Sequence, residues 1–203
     1  MDIKKIKEVK ISTSKNMFVK IKDNNLIIEH ENIEKVCIRY FKIHLETLFS
    51  RNPFFTQSLK NIAFVKPFIE IEEKLSKKEN ITIIGINKSL IKDNLIIEIS
   101  SDHICQFINY FPITFKVNVI EKYGIIKIQD DSNNKLAKIY IKVYAKNVNE
   151  NVSFFKDGYT DFRGMFNYSS LNNKKIVEIK KFAIFISNEN EESMVIECDP
   201  PKD

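Results

Sequence analysis

From Met17 to Glu197 the chain is a series of short runs in which apolar and polar side chains alternate, each closed by a turn signal, and this periodicity constrains the fold more than any other feature. Ile113–Ile120 puts Ile113, Phe115, Val117 and Val119 on one face and Thr114, Lys116 and Asn118 on the other. Lys35–Ile43 sets Val36, Ile38 and Tyr40 against Lys35, Arg39 and Lys42, with one lapse at Cys37. A period of two belongs to a strand with one face wet. Phe68–Glu72, Ile81–Ile84, Leu95–Ile99, Ile139–Tyr144, Phe182–Ile186 and Met194–Glu197 read the same way. Asp23-Asn24-Asn25, Asp130–Asn134 and Asn188–Glu192 are turn clusters, because Asn and Asp tolerate the positive φ of a tight turn. Short strands with turn signals every ~8–12 residues predict sandwiches. The long amphipathic helices of an α/β fold are missing.

The expected architecture is all-β, two β-sandwich modules with one or two short helical turns. At 203 residues the chain is long enough for two small domains. Residues 1–16, Lys-rich with Ile3, Ile6, Val9 and Ile11, read as a basic arm or edge strand. Residues 17–112 read as an Ig/fibronectin-III-like sandwich and residues 113–203 as a second module, with Phe111-Pro112 at the join. His44–Phe55 is the least strand-like stretch; a helical turn is predicted there, stopped by Pro53. Leu59–Phe64 reads as another short turn. Only Glu121-Lys122-Tyr123 separates Ile113–Ile120 from the following strand, with no Gly/Ser/Pro-rich linker. The modules are therefore expected to be held in a fixed arrangement, with apolar side chains near residues 36–55 facing the second module.

Composition narrows the function classes. Hydrophobic residues at 43% and charged residues at 29% give a globular balance. The net charge is +5, but the excess is mainly Lys; Arg occurs only at Arg39, Arg51 and Arg163. Specific nucleic-acid readers favour Arg and clustered charge, so nucleic acid is not the expected partner. Cys37, Cys105 and Cys198 are odd in number and widely spaced, which reads as thiols in a reducing compartment. No secretory signal and no transmembrane run is seen, and an intracellular, cytoplasmic protein is expected. The Asn-x-Ser/Thr triplets at Asn80, Asn87, Asn151 and Asn167 then read as chance in an Asn-rich chain.

Half of the glycines fall in Lys156-Asp157-Gly158-Tyr159-Thr160-Asp161-Phe162-Arg163-Gly164-Met165-Phe166-Asn167-Tyr168. Asp157-Gly158 reads as one tight turn. Thr160, Asp161 and Gly164 read as another, with the Asp161 carboxylate accepting backbone N–H bonds and Gly164 left-handed. With Lys135–Val143 ahead of it, this layout resembles the transthyretin-like modules of the carboxypeptidase regulatory-like kind, although the Lys135–Lys138 turn lacks their Pro and Gly. More narrowly, Phe155–Tyr168, Phe182–Cys198, Pro200-Pro201 and the upstream block Tyr40–Phe54 resemble the C-terminal region of a family of very large, uncharacterised protist-type proteins. The resemblance implies a transthyretin-like second sandwich and no enzyme activity.

No constellation of catalytic groups accompanies this. A macroglobulin-type thioester needs Cys and Gln a few residues apart in a Gly-containing loop, whereas Gln106 directly follows Cys105 with no Gly near. His103 and Cys105 would share a strand face, but they are too closely tethered for a nucleophile–base pair and lack an orienting group. His30, His44 and His103 stand apart, and Asp130, Asp131, Asp157 and Asp161 lack calcium-loop spacing. No metal, cofactor or small-molecule substrate is expected. Adjacent aromatic residues on a strand point to opposite faces, so one of Phe154-Phe155 and, after Pro53, one of Phe54-Phe55 is expected to face away from its own core, either packing on the other module or forming part of a protein contact; these four are the candidate partner surface. The sequence thus points to a non-catalytic protein-interaction or scaffolding module whose protein partner is unidentified. The alternatives are an enzyme centred on His103–Cys105 and a nucleic-acid or anionic-membrane binder using the Lys-rich arm.

Overall fold

The computed structural model describes residues 15–56, 59, 66–76, 79–102, 104–169 and 174–201. The first half contains β1 (Asn16–Lys22), β2 (Asn25–Glu31), β3 (Lys35–Lys42), α1 (Leu45–Arg51), β4 (Ile69–Lys74), β5 (Ile81–Gly85), β6 (Leu95–Ser101) and β7 (Ile104–Tyr110). The second contains β8 (Phe115–Ile120), β9 (Ile125–Asp130), β10 (Tyr140–Asn147), β11 (Val152–Tyr159), β12 (Met165–Asn167), β13 (Ile179–Ser187) and β14 (Ser193–Cys198). Among the described residues all strand pairings are antiparallel, and none joins a strand of one half to a strand of the other. The fold is two β-sandwiches.

Both halves use one topology. In the first, a three-stranded sheet β1-β2-β5 faces a four-stranded sheet β4-β3-β6-β7. Counted afresh from β8, the second repeats it: β8-β9-β12 against β11-β10-β13-β14. In each, the fourth strand pairs with the third rather than the fifth, which separates both from the constant-type immunoglobulin arrangement. The distinction drawn from the motif between the two modules has no counterpart in strand order.

Each module has its own core. In the first, Leu26, Ile28, Val36, Ile38, Tyr40, Leu95, Ile97 and Ile99 pack together; in the second, Ile126, Ile128, Ile141, Val143, Phe182, Ile184 and Ile186 do so. The alternation of β2, β3 and β10 explains this directly, since every second residue is buried. The β1–β2 hairpin turns on Asp23 and Asn24, both at positive φ (49° and 59°), which suits a two-residue turn of the primed type.

Some expectations need correction. The strand expected from Ile113 starts at Phe115, because Thr114 is taken up by Glu192, whose carboxylate accepts from its N–H and its hydroxyl. β7 went unread: Ile104–Tyr110 mixes Cys, Gln and Asn with apolar residues and has no clean alternation. Its Gln106 uses a side-chain amide to bridge the two sheets, bonding the Val19 N–H and the Met17 carbonyl of β1. The basic arm up to residue 14, and all of Leu59–Phe64 except Leu59, lie outside the described residues.

The turn after β11 is held by Asp161. Its carboxylate accepts the N–H groups of Arg163 (2.9 Å) and Met165 (3.0 Å) and a two-pronged bond from the Arg163 guanidinium, which together hold its carboxyl below the usual range. Gly164 has φ 67°, its carbonyl accepts from Ile128, and a Cβ there would lie 2.5 Å from the Ile128 carbonyl oxygen. Left-handed backbone and the lack of room both demand glycine. Gly164→Val should therefore lower stability by more than about 2 kcal/mol, read as a shifted urea midpoint, with no loss for an exposed control such as Lys116→Val. A second outcome concerns Tyr40, which is fully buried with a hydroxyl that has no partner; burial pushes its phenol up to about 12. A folded-state pKa above the unfolded value means stability held below about pH 10 and lost as the pH rises to about 12. Tyr40→Phe should be neutral or stabilising at pH 7 and should soften that alkaline loss, as measured by chemical denaturation across pH.

Candidate interaction surface

α1 and the loop after it fill the gap between the two four-stranded sheets. On the first module, Phe41 of β3 and Ile96 of β6 turn away from their own core. On the second, Ala183 and Phe185 of β13 and Val195 of β14 do the same. Leu45, Phe49, Phe54, Phe55 and Leu59 lie between these faces. Five consecutive buried residues in β6 and again in β13 reflect this double duty: one side feeds the core, the other the join. Phe49 is fully buried, with its ring centre 5.6 Å from Phe185 and 5.5 Å, edge-on, from Tyr144. The Lys146 ammonium sits 4.2 Å from the centre of the Phe54 ring. Around this apolar centre, the Asn94 amide donates to the Ser193 hydroxyl (3.0 Å), Lys142 to the Ser50 hydroxyl (3.3 Å) and the Thr56 hydroxyl to Glu197.

A seven-residue helix is too short to hold itself in water. α1 has no side-chain N-cap bond and ends in a single backbone bond from the Asn52 N–H to the Leu48 carbonyl, so tertiary packing maintains it.

The four phenylalanines of the candidate partner surface are not brought together. Phe54 and Phe55 are buried in the join and face the second module rather than solvent. Phe155 packs on Phe182 in the second core, with ring centres 5.0 Å apart. Phe154 remains, 52% exposed on β11, the edge strand of its sheet. A bulge where the β10 register shifts between Val143 and Tyr144 explains the split, since Phe155 is the extra residue and turns inward. Asp157 and Gly158 do not form a turn: they lie within β11, and Gly158 is needed because the Phe166 ring would be 3.0 Å from a Cβ. Thr160 is buried and bonds Leu136 and Ile139. Phe154 stacks edge-on against Tyr144 at 5.9 Å, and Tyr159, 65% exposed, lies 5.4 Å from Tyr140. The aromatic layer of the join thus runs through Phe49 and Tyr144 to an open sheet edge. The adjacent phenylalanines Phe54-Phe55, the apolar side chains near residues 36–55 and the continuous apolar run Phe182–Ile186 are the sequence signals of this layer.

The remaining chemical candidates are dispersed. Cys37 is half-buried, Cys105 exposed and Cys198 buried. Burial pushes the Cys198 thiol up to about 12, which holds it protonated beside Tyr168. His30 bonds the Thr82 hydroxyl and burial lowers its pKa; His44 bonds the Thr47 hydroxyl. His103 and the basic arm lie outside the described residues. Among the described residues no cluster of three metal-ligating side chains occurs, and no helix is long and apolar enough to cross a membrane.

Residues 15–97 match the family model of the AbpF seventh immunoglobulin-like domain, and residues 114–203 match that of the AbpF C-terminal domain. The chain is 29% identical over 180 residues to Actin-binding protein F of Dictyostelium discoideum; the match covers 88% of this chain and 8% of that protein. The chain thus resembles the C-terminal region of a large protist protein and spans under a tenth of that relative's length. Among solved structures, a native Escherichia coli alpha-2-macroglobulin fragment spanning domains MG0-NIE-MG1 superposes with a TM-score of 0.56 at 10% identity, covering 87% of this chain and 59% of that one. At that identity the likeness is one of fold.

Phe49→Ala should cost about 3–5 kcal/mol, as for other fully buried aromatic residues, and should act on the join rather than on either core. The expected result is one cooperative melt in the parent chain and two separated transitions in the variant, by calorimetry.

Proposed function

We propose that this chain is a non-catalytic protein-interaction tandem within a longer protein, and that its partner is actin. The observation that carries this is the match of both modules, in order, to domains of an actin-binding protein. The geometry supports it. A tandem locked by a buried aromatic join presents both modules as one platform, which suits recognition of a repeating polymer better than catalysis by domain closure. The open β11 edge, where Phe154 and Tyr159 are exposed and backed by the partly buried Tyr144 and Tyr140 of β10, supplies an aromatic surface of the kind found at contact centres. On this reading the protein is intracellular and cytoskeleton-associated. The transthyretin-like character read from Thr160–Phe166 concerns the turn at one end of the second module and leaves the platform unchanged.

Co-sedimentation with filamentous actin tests the proposal. The full chain should pellet with filaments saturably, and Phe154→Ala with Tyr159→Ala should weaken pelleting about tenfold while leaving the melt unchanged, as expected of exposed hot-spot aromatics. Pelleting no greater than that of an inert protein of similar charge would remove actin as the partner.

A further inference from the structure

β4 and β11 hold the same place in their modules: each is an outer strand of the four-stranded sheet, with one long edge unpaired among the described residues. The two edges are finished differently. β4 carries Glu70, Glu72 and Lys74 at its exposed positions, and Arg39 and Lys35 of β3 hold the two carboxylates. Charged side chains along an edge keep other strands away. β11 exposes Val152, Ser153, Phe154, Asp157 and Tyr159 instead. Its two charges are engaged inside the module. The Lys156 ammonium donates to the Asn167 carbonyl (2.7 Å) and lies 4.9 Å from the centre of the Phe166 ring, and Asp157 accepts from the Tyr140 hydroxyl (2.9 Å). A long strand without proline is thus left open where its counterpart is guarded.

The backbone of that edge is set for pairing. The bond from the Asn147 N–H to the Asn151 carbonyl and that from the Thr160 N–H to the Ile139 carbonyl fix which residues face β10 at the two ends of the strand. Bonded and open residues alternate in an antiparallel ladder, so Val152 and Phe154 and, beyond the bulge, Asp157 and Tyr159 turn their N–H and C=O groups away from β10. The side chains of these four are exposed as well. α1 covers β10, one strand further in, where Phe49 meets Tyr144, and it leaves Phe154 and Tyr159 on an uncovered rim.

We infer that β11 pairs antiparallel with β11 of a second copy of this chain. The register favours a second copy over a foreign strand. A two-fold axis between Phe155 and Lys156 sets Val152 opposite Tyr159 of the second copy and Phe154 opposite its Asp157, so all four open residues of each strand meet an open residue of the other. The bulge lies at the axis in both copies and costs neither strand its register. No like charges stand opposite one another. Two four-stranded sheets become one continuous sheet, and the exposed aromatic face is doubled rather than covered, because edge pairing uses the backbone. Such pairing goes beyond the reading of the chain as an interaction tandem and does not depend on actin.

Sedimentation velocity of the full chain is the test. A concentration-dependent dimer with a Kd of about 10–100 μM is expected, as for a small interface. Phe154→Glu sets a carboxylate opposite Asp157 of the second copy, twice in each dimer, and should weaken association at least about tenfold. Adding Asp157→Lys turns both contacts into opposite charges and should restore the Kd to within about threefold of the parent, which only this register explains. Val152→Pro removes an N–H that points away from β10, so it should weaken the dimer while the thermal melt stays that of the parent. A chain that remains monomeric across that range overturns the inference and leaves the edge to a foreign strand. A dimer indifferent to Phe154→Glu and Val152→Pro, or one that Asp157→Lys fails to rescue, overturns it as well. Actin pelleting separates the two readings: a monomeric chain that pellets loses the pairing and keeps the partner, and a dimer that does not pellet keeps the pairing and loses the partner.

Discussion

The packing of Phe49 between two sheets is the contact on which the rest of the arrangement depends. Neither sandwich could bury this ring alone: one side needs Phe185 and Tyr144 of the second module, and the helix that carries it hangs from β3 of the first. Phe41, Phe49, Phe54, Phe55 and Phe185 share that layer. At about 2 kcal/mol for each buried ring, the layer contributes on the order of 10 kcal/mol, an upper bound that assumes a fully exposed reference. For modules already joined by a short covalent link, that is ample to offset the lost freedom of docking, whereas the polar bonds around it are each worth about 1 kcal/mol and set orientation more than stability.

The repeated topology makes the asymmetry of the join informative. β6 and β13 hold the same place in their sheets, and both are buried on two faces. Their outward residues differ. β13 shows Ala183 and Phe185 to the join, while the matching face of the first module goes over from Ile96 and Phe41 to Glu98, which Arg39 bridges to Glu70 on β4. A buried carboxylate clamped by one guanidinium cannot also receive an apolar module, because breaking the pair would strand a charge. The apolar part of that face ends where the second module's contact ends. The same two-layer sandwich therefore serves once as a receiver, through its helix and four-stranded sheet, and once as a donor of an apolar sheet face.

Much of the fold was legible because strands with one wet face announce themselves by alternation, as β3, β8 and β10 do. β7 was not, since Gln106 and Asn109 interrupt the pattern, and Gln106 is there to tie β7 to β1. Gly164 carried its own evidence, because a Thr-Asp-x-x-Gly turn requires a left-handed residue at that place. Asp157-Gly158 carried the wrong evidence: a turn-forming pair also results when a ring, here Phe166, occupies the space of a side chain within a strand. The candidate surface was the hardest to read. Adjacent phenylalanines report that two faces are apolar, but whether the second face meets solvent or a neighbouring module depends on contacts more than 90 residues away, such as Asn94 to Ser193.

The central claim is that the helix-filled join makes two sandwiches one body. Residual dipolar couplings of the full chain, fitted separately to the amides of residues 16–110 and 115–198, test it most directly. A shared alignment tensor for the two modules, with one rotational correlation time, is the result predicted by a buried Phe49 layer. Two tensors of different magnitude, with faster tumbling of either module, would contradict it and leave the chain as two sandwiches on a tether.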